Sequence, residues 1–268
     1  MNLDFSNDQK FLQEEARKFL EKEEALSRNR SVLETESHID QELWNKIVDL
    51  GWTGIRIPEE YGGLGLGHLE LCVIAEELGR YLAPVPFSSS VYLFTEAIIN
   101  YASEEIKKDL LPKLVSGQVI GTLAVTEELH APSKSNIKVN YNKGNLNGKK
   151  IAVPDAGIAT HSLVVSKTDN GISLQLVDLS KPGLKIEHQE NIDESRGHFS
   201  IEFNNVKSDL IGDENSGWEL YESIINQAAV LFSYEQIGGS QAALDMAINY
   251  AKERYAFGRP IGSYQAIK

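Results

Sequence analysis

The spacing of apolar positions changes twice along the chain, and the two changes divide it into three parts. Up to about residue 118, apolar residues recur in steps of three and four. Phe11, Leu12, Ala16, Phe19 and Leu20 form one such set, Leu43, Trp44, Ile47 and Val48 a second, and Leu71, Ile74, Ala75 and Leu78 a third. This is the period of an amphipathic helix, so the segment is predicted to be helical. Ser6 with Gln9 makes a capping-box pattern ahead of the first set, and Asp40 is placed to cap the second. Gly51 and Gly79 supply stop signals, and a further helix is predicted from about Glu104 to Leu114. Ala83-Pro-Val-Pro-Phe87 breaks the pattern. The Gly-rich stretch from Pro58 to Gly67 follows no clear strand and precedes no Lys-Ser/Thr pair. That supports neither a P-loop nor a dinucleotide fingerprint, and it reads as a tight corner between helices.

From about 119 to 207 the pattern shortens. Val119–Val125, Ile137–Tyr141, Leu146–Val153, Ser162–Ser166, Ile172–Asp178, Leu184–His188 and Phe199–Phe203 are short runs separated by Asn, Gly, Asp and Pro. Strands at such spacing predict a compact β-barrel or sandwich. Asp209 to Gly217 reads as a linker, and from Trp218 onward the helical period returns. The expected fold is therefore α+β with several domains: a helical domain over 1–118, a β-domain over 119–208, and the start of a C-terminal helical bundle over 209–268.

On that last helix Leu231, Gly239, Ala242, Met246 and Tyr250 fall on one stripe, and Glu235 lies on it too. A carboxylate on a buried stripe is costly unless a neighbour uses or satisfies it. Gly238 and Gly239 remove side chains one turn on, at a helix-propensity cost of roughly 1 kcal/mol each, which reads as room for a ligand.

Composition narrows the choices. The 268 residues are 41% hydrophobic and 24% charged, as in a soluble globular protein. A net charge of −13 argues against nucleic-acid binding, which needs a basic surface. No run approaches the length of a membrane span. The acidic N-terminus lacks a basic-then-apolar signal pattern. Cys72 is the only cysteine, which rules out an intramolecular disulfide and fits a reducing compartment such as the cytoplasm. His130, His161, His188 and His198 share no metal-ligand spacing, so no metal site is expected. The Glu/Lys clusters at Glu14–Glu24 and Glu104–Lys108 read as solvated helix faces.

The chain ends in Arg254-Tyr-Ala-Phe257-Gly-Arg-Pro-Ile-Gly-Ser-Tyr-Gln265. This resembles the signature of the flavin-dependent acyl-CoA dehydrogenase family. PEEYGGLG, AEELGRYLAPVP and LLPKLVSGQ resemble that family's N-terminal helical domain in order and spacing. The resemblance implies FAD as cofactor, an acyl-CoA thioester as substrate, and a homo- or hetero-oligomer with an electron-transfer flavoprotein as acceptor. The acid balance does not exclude an anionic CoA ester, which needs only local positive charge. Members of the family continue through further helices, so the likeness implies a chain shorter than theirs.

By the same likeness, Arg254, Phe257 and Gln265 contact the FAD of a neighbouring subunit. Thr126 sits against the flavin's pyrimidine edge. The family's Pro-x-Ala-Gly-Ser-Asp is absent, and Ser133 or Ser135 stands in for its phosphate-binding serine. In the family's Trp-Ile-Thr-Asn region this chain has Ala152, Val153, Pro154 and Asp155, with Val153 beside the cofactor. The variant resembles a divergent bacterial branch whose members often work as heteromers on steroid or other bulky acyl-CoA substrates. One family position for the catalytic carboxylate lies in helices beyond Lys268, a second aligns with Ala228, and Glu235 matches a third. Three readings stand: a dehydrogenase subunit with Glu235 as base, a non-catalytic partner that lends its Arg254–Gln265 corner to another chain's FAD, and an oxygen-using relative.

Overall fold

The computed structural model of the chain describes residues 4–35 and 37–267. Its N-terminal part holds α1 (Asn7–Lys22), α2 (Ala25–Leu33), α3 (Gln41–Asp49), α4 (His68–Arg80), a π-helical stretch (Ser88–Thr95) that runs into α5 (Glu96–Tyr101), and α6 (Glu104–Val115). The caps fall where the residues put them. Gln9 N donates to Ser6 Oγ at 3.2 Å while Ser6 N donates to Gln9 Oε1 at 2.9 Å. Leu43 N donates to the Asp40 carboxylate at 2.9 Å. The Gly-rich corner is as tight as expected, because a Cβ at Gly63 would stand 2.0 Å from the Ile57 carbonyl oxygen.

The middle part is a curled sheet of β1 (Gly121–Ala124), β2 (Asn140–Asn142), β3 (Asn145–Pro154), β4 (His161–Lys167), β5 (Ile172–Asp178), β6 (Leu184–Gln189), β7 (His198–Lys207) and β8 (Asp209–Ile211). The strand order is β6-β7-β3-β2-β4-β5-β8, and β1 pairs in parallel with β4. The sheet bends back on itself until β1 also meets β3, where Ile151 N donates to the Thr126 carbonyl at 2.8 Å and Thr122 Oγ1 to the Pro154 carbonyl at 2.6 Å. Val139, Leu146, Val153, Val164, Ile201 and Phe203 fill the space enclosed. The opposite faces of β1, β4 and β5, through Leu123, Leu163, Val165 and Leu174, join the apolar core of the helices.

A single long helix, α7 (Gly217–Glu253), then crosses the molecule and ends in a small hairpin of β9 (Tyr255–Ala256) and β10 (Arg259–Pro260). Among the described residues, no helix is long and apolar enough to cross a membrane.

Three features differ from the sequence reading. First, α2 carries no clear apolar period; it is held by Arg28, which donates to the Glu23 carbonyl at 2.7 Å and to Asp40 at 3.1 Å. Second, Ser88–Thr95 is helical although three consecutive serines are weak helix formers; here they are buried and hydrogen-bonded. Third, Asp209–Ile211 is not a linker but a strand, because it finds an open edge on β5.

Candidate active site

The stripe on α7 is buried only over its first half. Leu231 is 1% exposed, whereas Met246 is 57% and Tyr250 60% exposed. The glycines beside Glu235 do not make room for a ligand, because the main chain of α4 fills it. A Cβ at Gly238 would stand 1.8 Å from the Glu76 carbonyl oxygen, and one at Gly79 would stand 2.1 Å from that of Glu235. Only glycine on both helices allows this approach. Its consequence is that Glu235 is carried directly against α4.

From there Glu235 lines a cavity of about 170 Å³, closed by Asn29 of α2, Leu78 of α4, Val85, Phe87 and the loop residues Asp193 and Arg196. The loop is built by its own side chains: Asp193 Oδ1 accepts from Ser195 N at 3.0 Å and from Ser195 Oγ at 2.5 Å. That turn delivers Arg196 to the cavity, where its guanidinium donates to Ser88 Oγ on the π-helical stretch. The neighbouring Ser89 Oγ donates at 2.5 Å to Asp155, a buried carboxylate at the end of β3. Two adjacent serines thus bolt the cavity wall to the sheet.

Burial pushes the Glu235 carboxyl above its usual range, while Arg196 and then Tyr92 act in the opposite direction. Tyr92 is fully buried and its hydroxyl has no hydrogen-bond partner of good geometry, yet it lies near enough for Glu235 to affect it. Burial first, and the Glu235 charge second, raise the Tyr92 pKa well above that of a free phenol.

Arg196 also lines a second, larger cleft of about 740 Å³ between the α2–α3 connection and the sheet. Its wall holds His38 stacked on His188 with ring centroids 4.4 Å apart, and Phe199 edge-on to His38 at 5.5 Å.

The sheet residues singled out from sequence lie elsewhere. Thr126 follows β1, half-buried, and its hydroxyl makes no hydrogen bond to any described residue. Ser133 Oγ lies 3.0 Å from Ser135 Oγ. The Val153 side chain points into the sheet's own core at 1% exposure, so only its main chain faces outward. A bulge between Lys150 and Val153 leaves Ala152 exposed at φ 50°. None of these lines the Glu235 cavity. Arg254, Phe257 and Gln265 form the exposed corner at the far end of α7, with Phe257 97% exposed at φ 53°. From Glu235 that corner is about 28 Å along the helix axis.

Sequence reasoning missed Arg196, Tyr92 and the two serines. An Asp-x-Ser turn was legible at 193–195, but what Arg196 meets depends on the tertiary fold. It also missed a buried ion pair between β3 and the segment after β1: Lys150 Nζ donates to Glu127 Oε1 at 2.6 Å and to the Val125 carbonyl at 2.9 Å. Burial brings the Lys150 pKa down to about 8.

A helical layer, a curled sheet and a long helix carrying a half-buried acid make up the described chain. A family model described as the acyl-CoA dehydrogenase N-terminal domain matches residues 6–118, and one described as the C-terminal domain matches residues 215–268. The chain is 28% identical to a mitochondrial isovaleryl-CoA dehydrogenase of Oryza sativa subsp. japonica, over 98% of its own length and 68% of the relative's. With a mitochondrial 2-methylacyl-CoA dehydrogenase of Solanum tuberosum it shares 30% identity, over 84% of its length and 59% of that protein's. Among solved structures it resembles a Tcur3481-Tcur3483 steroid ACAD variant at TM-score 0.85 and 31% identity, covering 97% of this chain and 71% of that one. It also resembles the butyryl-CoA dehydrogenase of Megasphaera elsdenii at TM-score 0.90 and 25% identity, covering 100% of this chain and 74% of that one. The chain belongs to the acyl-CoA dehydrogenase family. It spans about two thirds of the length of these curated relatives, 68% of one and 59% of the other.

Proposed function

We propose that this chain is the FAD-bearing part of an acyl-CoA dehydrogenase that introduces a double bond between Cα and Cβ of an acyl-CoA thioester. The observation that carries the reading is Glu235, a carboxylate set on α7 in a cavity walled by Leu78, Val85 and Phe87. Its raised pKa suits a base that must hold a proton near neutral pH. In this reading Glu235 takes the α-proton, and the apolar wall excludes water that would compete for it. A bound FAD would supply the acceptor for the β-hydrogen and its electron pair.

The sheet residues suit that cofactor by their donor chemistry. Thr126 offers a half-buried hydroxyl with no partner among the described residues, Ser133 and Ser135 offer two more hydroxyls that contact each other, and the exposed Ala152 leaves this part of β3 without a bulky side chain. Thr126 would hold the ring system, Ser133 the phosphate side, and the main chain at Val153 the edge next to it. The solvent-facing Arg254, Phe257 and Gln265 would serve the FAD of a neighbouring subunit. Oligomer formation, whether with identical or related chains, an electron-transfer flavoprotein as acceptor, and a cytoplasmic setting complete the proposal. A chain that only lent its corner to a neighbour would have no use for a carboxylate maintained in an apolar cavity, so the catalytic reading is preferred.

Bleaching of the bound flavin by an acyl-CoA tests it. Glu235→Gln should keep the flavin and lose the bleaching; undiminished bleaching in that variant would remove Glu235 from the reaction.

A further inference from the structure

Glu235 and Arg196 line the same cavity, yet no ion pair within 4 Å joins them. The guanidinium is instead tied to Ser88 Oγ. It is therefore kept close enough to influence the carboxylate without neutralising it by direct contact. Three separate elements enforce this: the Asp193–Ser195 turn aims the arginine, the π-helical stretch presents Ser88, and the Gly79–Gly238 contact fixes the backbone of Glu235. π-Helical segments of this kind tend to occur where a local distortion serves a site. Arg196 also stands between the small cavity and the 740 Å³ cleft, since it lines both.

We propose that Arg196 is a positioning residue for Glu235: held by Ser88, its fixed positive charge sets the pH at which the carboxylate becomes a usable base. The inference deepens the proposed function, and it rests on Glu235 being the base only for its consequence in turnover.

The 193–196 loop brings Asp193 as well as Arg196. The π-helical stretch brings Tyr92, which is uncharged at neutral pH. On α4, Cys72 is buried with its thiol pushed up to about 11, Glu76 is partly buried, and Arg80 is turned away to Asp245 at 2.6 Å. α2 offers only the neutral Asn29. Arg196 is thus the cation that acts on the carboxylate. Burial raises the Glu235 pKa and Arg196 restrains the rise; without Arg196 the carboxyl should hold its proton to higher pH.

The test is an infrared titration of the full chain, using the protonated-carboxyl band that disappears in Glu235→Gln. Arg196→Met should move the titration midpoint of that band upward by about one pH unit or more, and Arg196→Lys, which keeps the charge, should return most of the shift. In turnover the acid limb of the kcat/KM profile should move by the same amount, with activity recovering at high pH. A purely structural role would lower activity evenly and leave the midpoint in place. An unchanged midpoint in Arg196→Met overturns the proposal. Should that variant fail to fold, Arg196→Gln, which can still bond to Ser88, carries the same expectation. The infrared reading does not depend on catalysis: a shifted midpoint with Glu235→Gln still active would leave this inference standing and refute the base assignment.

Discussion

Gly79 on α4 meets the main chain of Glu235 on α7 so closely that a Cβ on the glycine would stand 2.1 Å from the Glu235 carbonyl oxygen. The reciprocal contact, Gly238 against Glu76, is tighter still at 1.8 Å. Two helices that approach through glycine lose the freedom to slide, and an acid placed on one of them inherits a fixed position.

Gly238→Ala should therefore push the helices apart and destabilise the chain by about 2 kcal/mol or more, as overpacking a close contact does. Gly239→Ala is the control. Its Cβ would come no nearer than 3.4 Å to the Gly79 carbonyl, so the better helix propensity of alanine should leave stability unchanged or raised by up to about 1 kcal/mol. Urea denaturation of the two variants measures the contrast.

Lys150 gives a pH prediction. Its pKa of about 8 in the fold lies below the ordinary lysine value of 10.5. Between those two values the unfolded chain binds more protons than the folded one, so stability should rise with pH across that window. Below it, both states are protonated and the burial penalty is fully present. Lys150→Met should remove this rise. At neutral pH it should also cost about 3 kcal/mol, because Glu127 keeps its bonds from Lys138 N and Val139 N but loses its buried cation. Thermal melts of both proteins between pH 7 and about pH 10 would show the difference in slope.

Phe257→Ala should leave the stability of the isolated chain within about 0.5 kcal/mol, because the ring is 97% exposed. If the corner serves a neighbour, the same change should weaken assembly and flavin retention. Size-exclusion chromatography with absorbance at a flavin wavelength reports both together. Assembly and flavin content equal to wild type would remove Phe257 from the shared contact.

Much of the architecture was legible in the sequence because local physics decided it. Ser6 and Asp40 cap helices through their own side chains, and the strands from Val119 to Phe203 follow from short β-rich runs bounded by turn residues. Glu235 stood out because a carboxylate interrupts an apolar stripe. The rest needed partners distant in sequence. The break read at Ala83–Phe87 gave no sign of the helical serines that follow it, since nothing local reveals that Arg196 and Asp155 will satisfy two of them. The glycines at 238 and 239 were read as space, because a missing side chain looks the same whether a ligand or another helix fills the gap. Val153 was placed beside the cofactor, but strand alternation around a bulge turns its side chain inward.

The most direct measurement of the central claim is solvent-deuterium exchange at the α-carbon of a bound acyl-CoA analogue that cannot be oxidised. If Glu235 is the base, the flavin-loaded protein exchanges the α-hydrogen, and Glu235→Gln with the same flavin content does not. Exchange at the wild-type rate in Glu235→Gln would mean that the proton leaves by another route, and the carboxylate on α7 would then be a structural group.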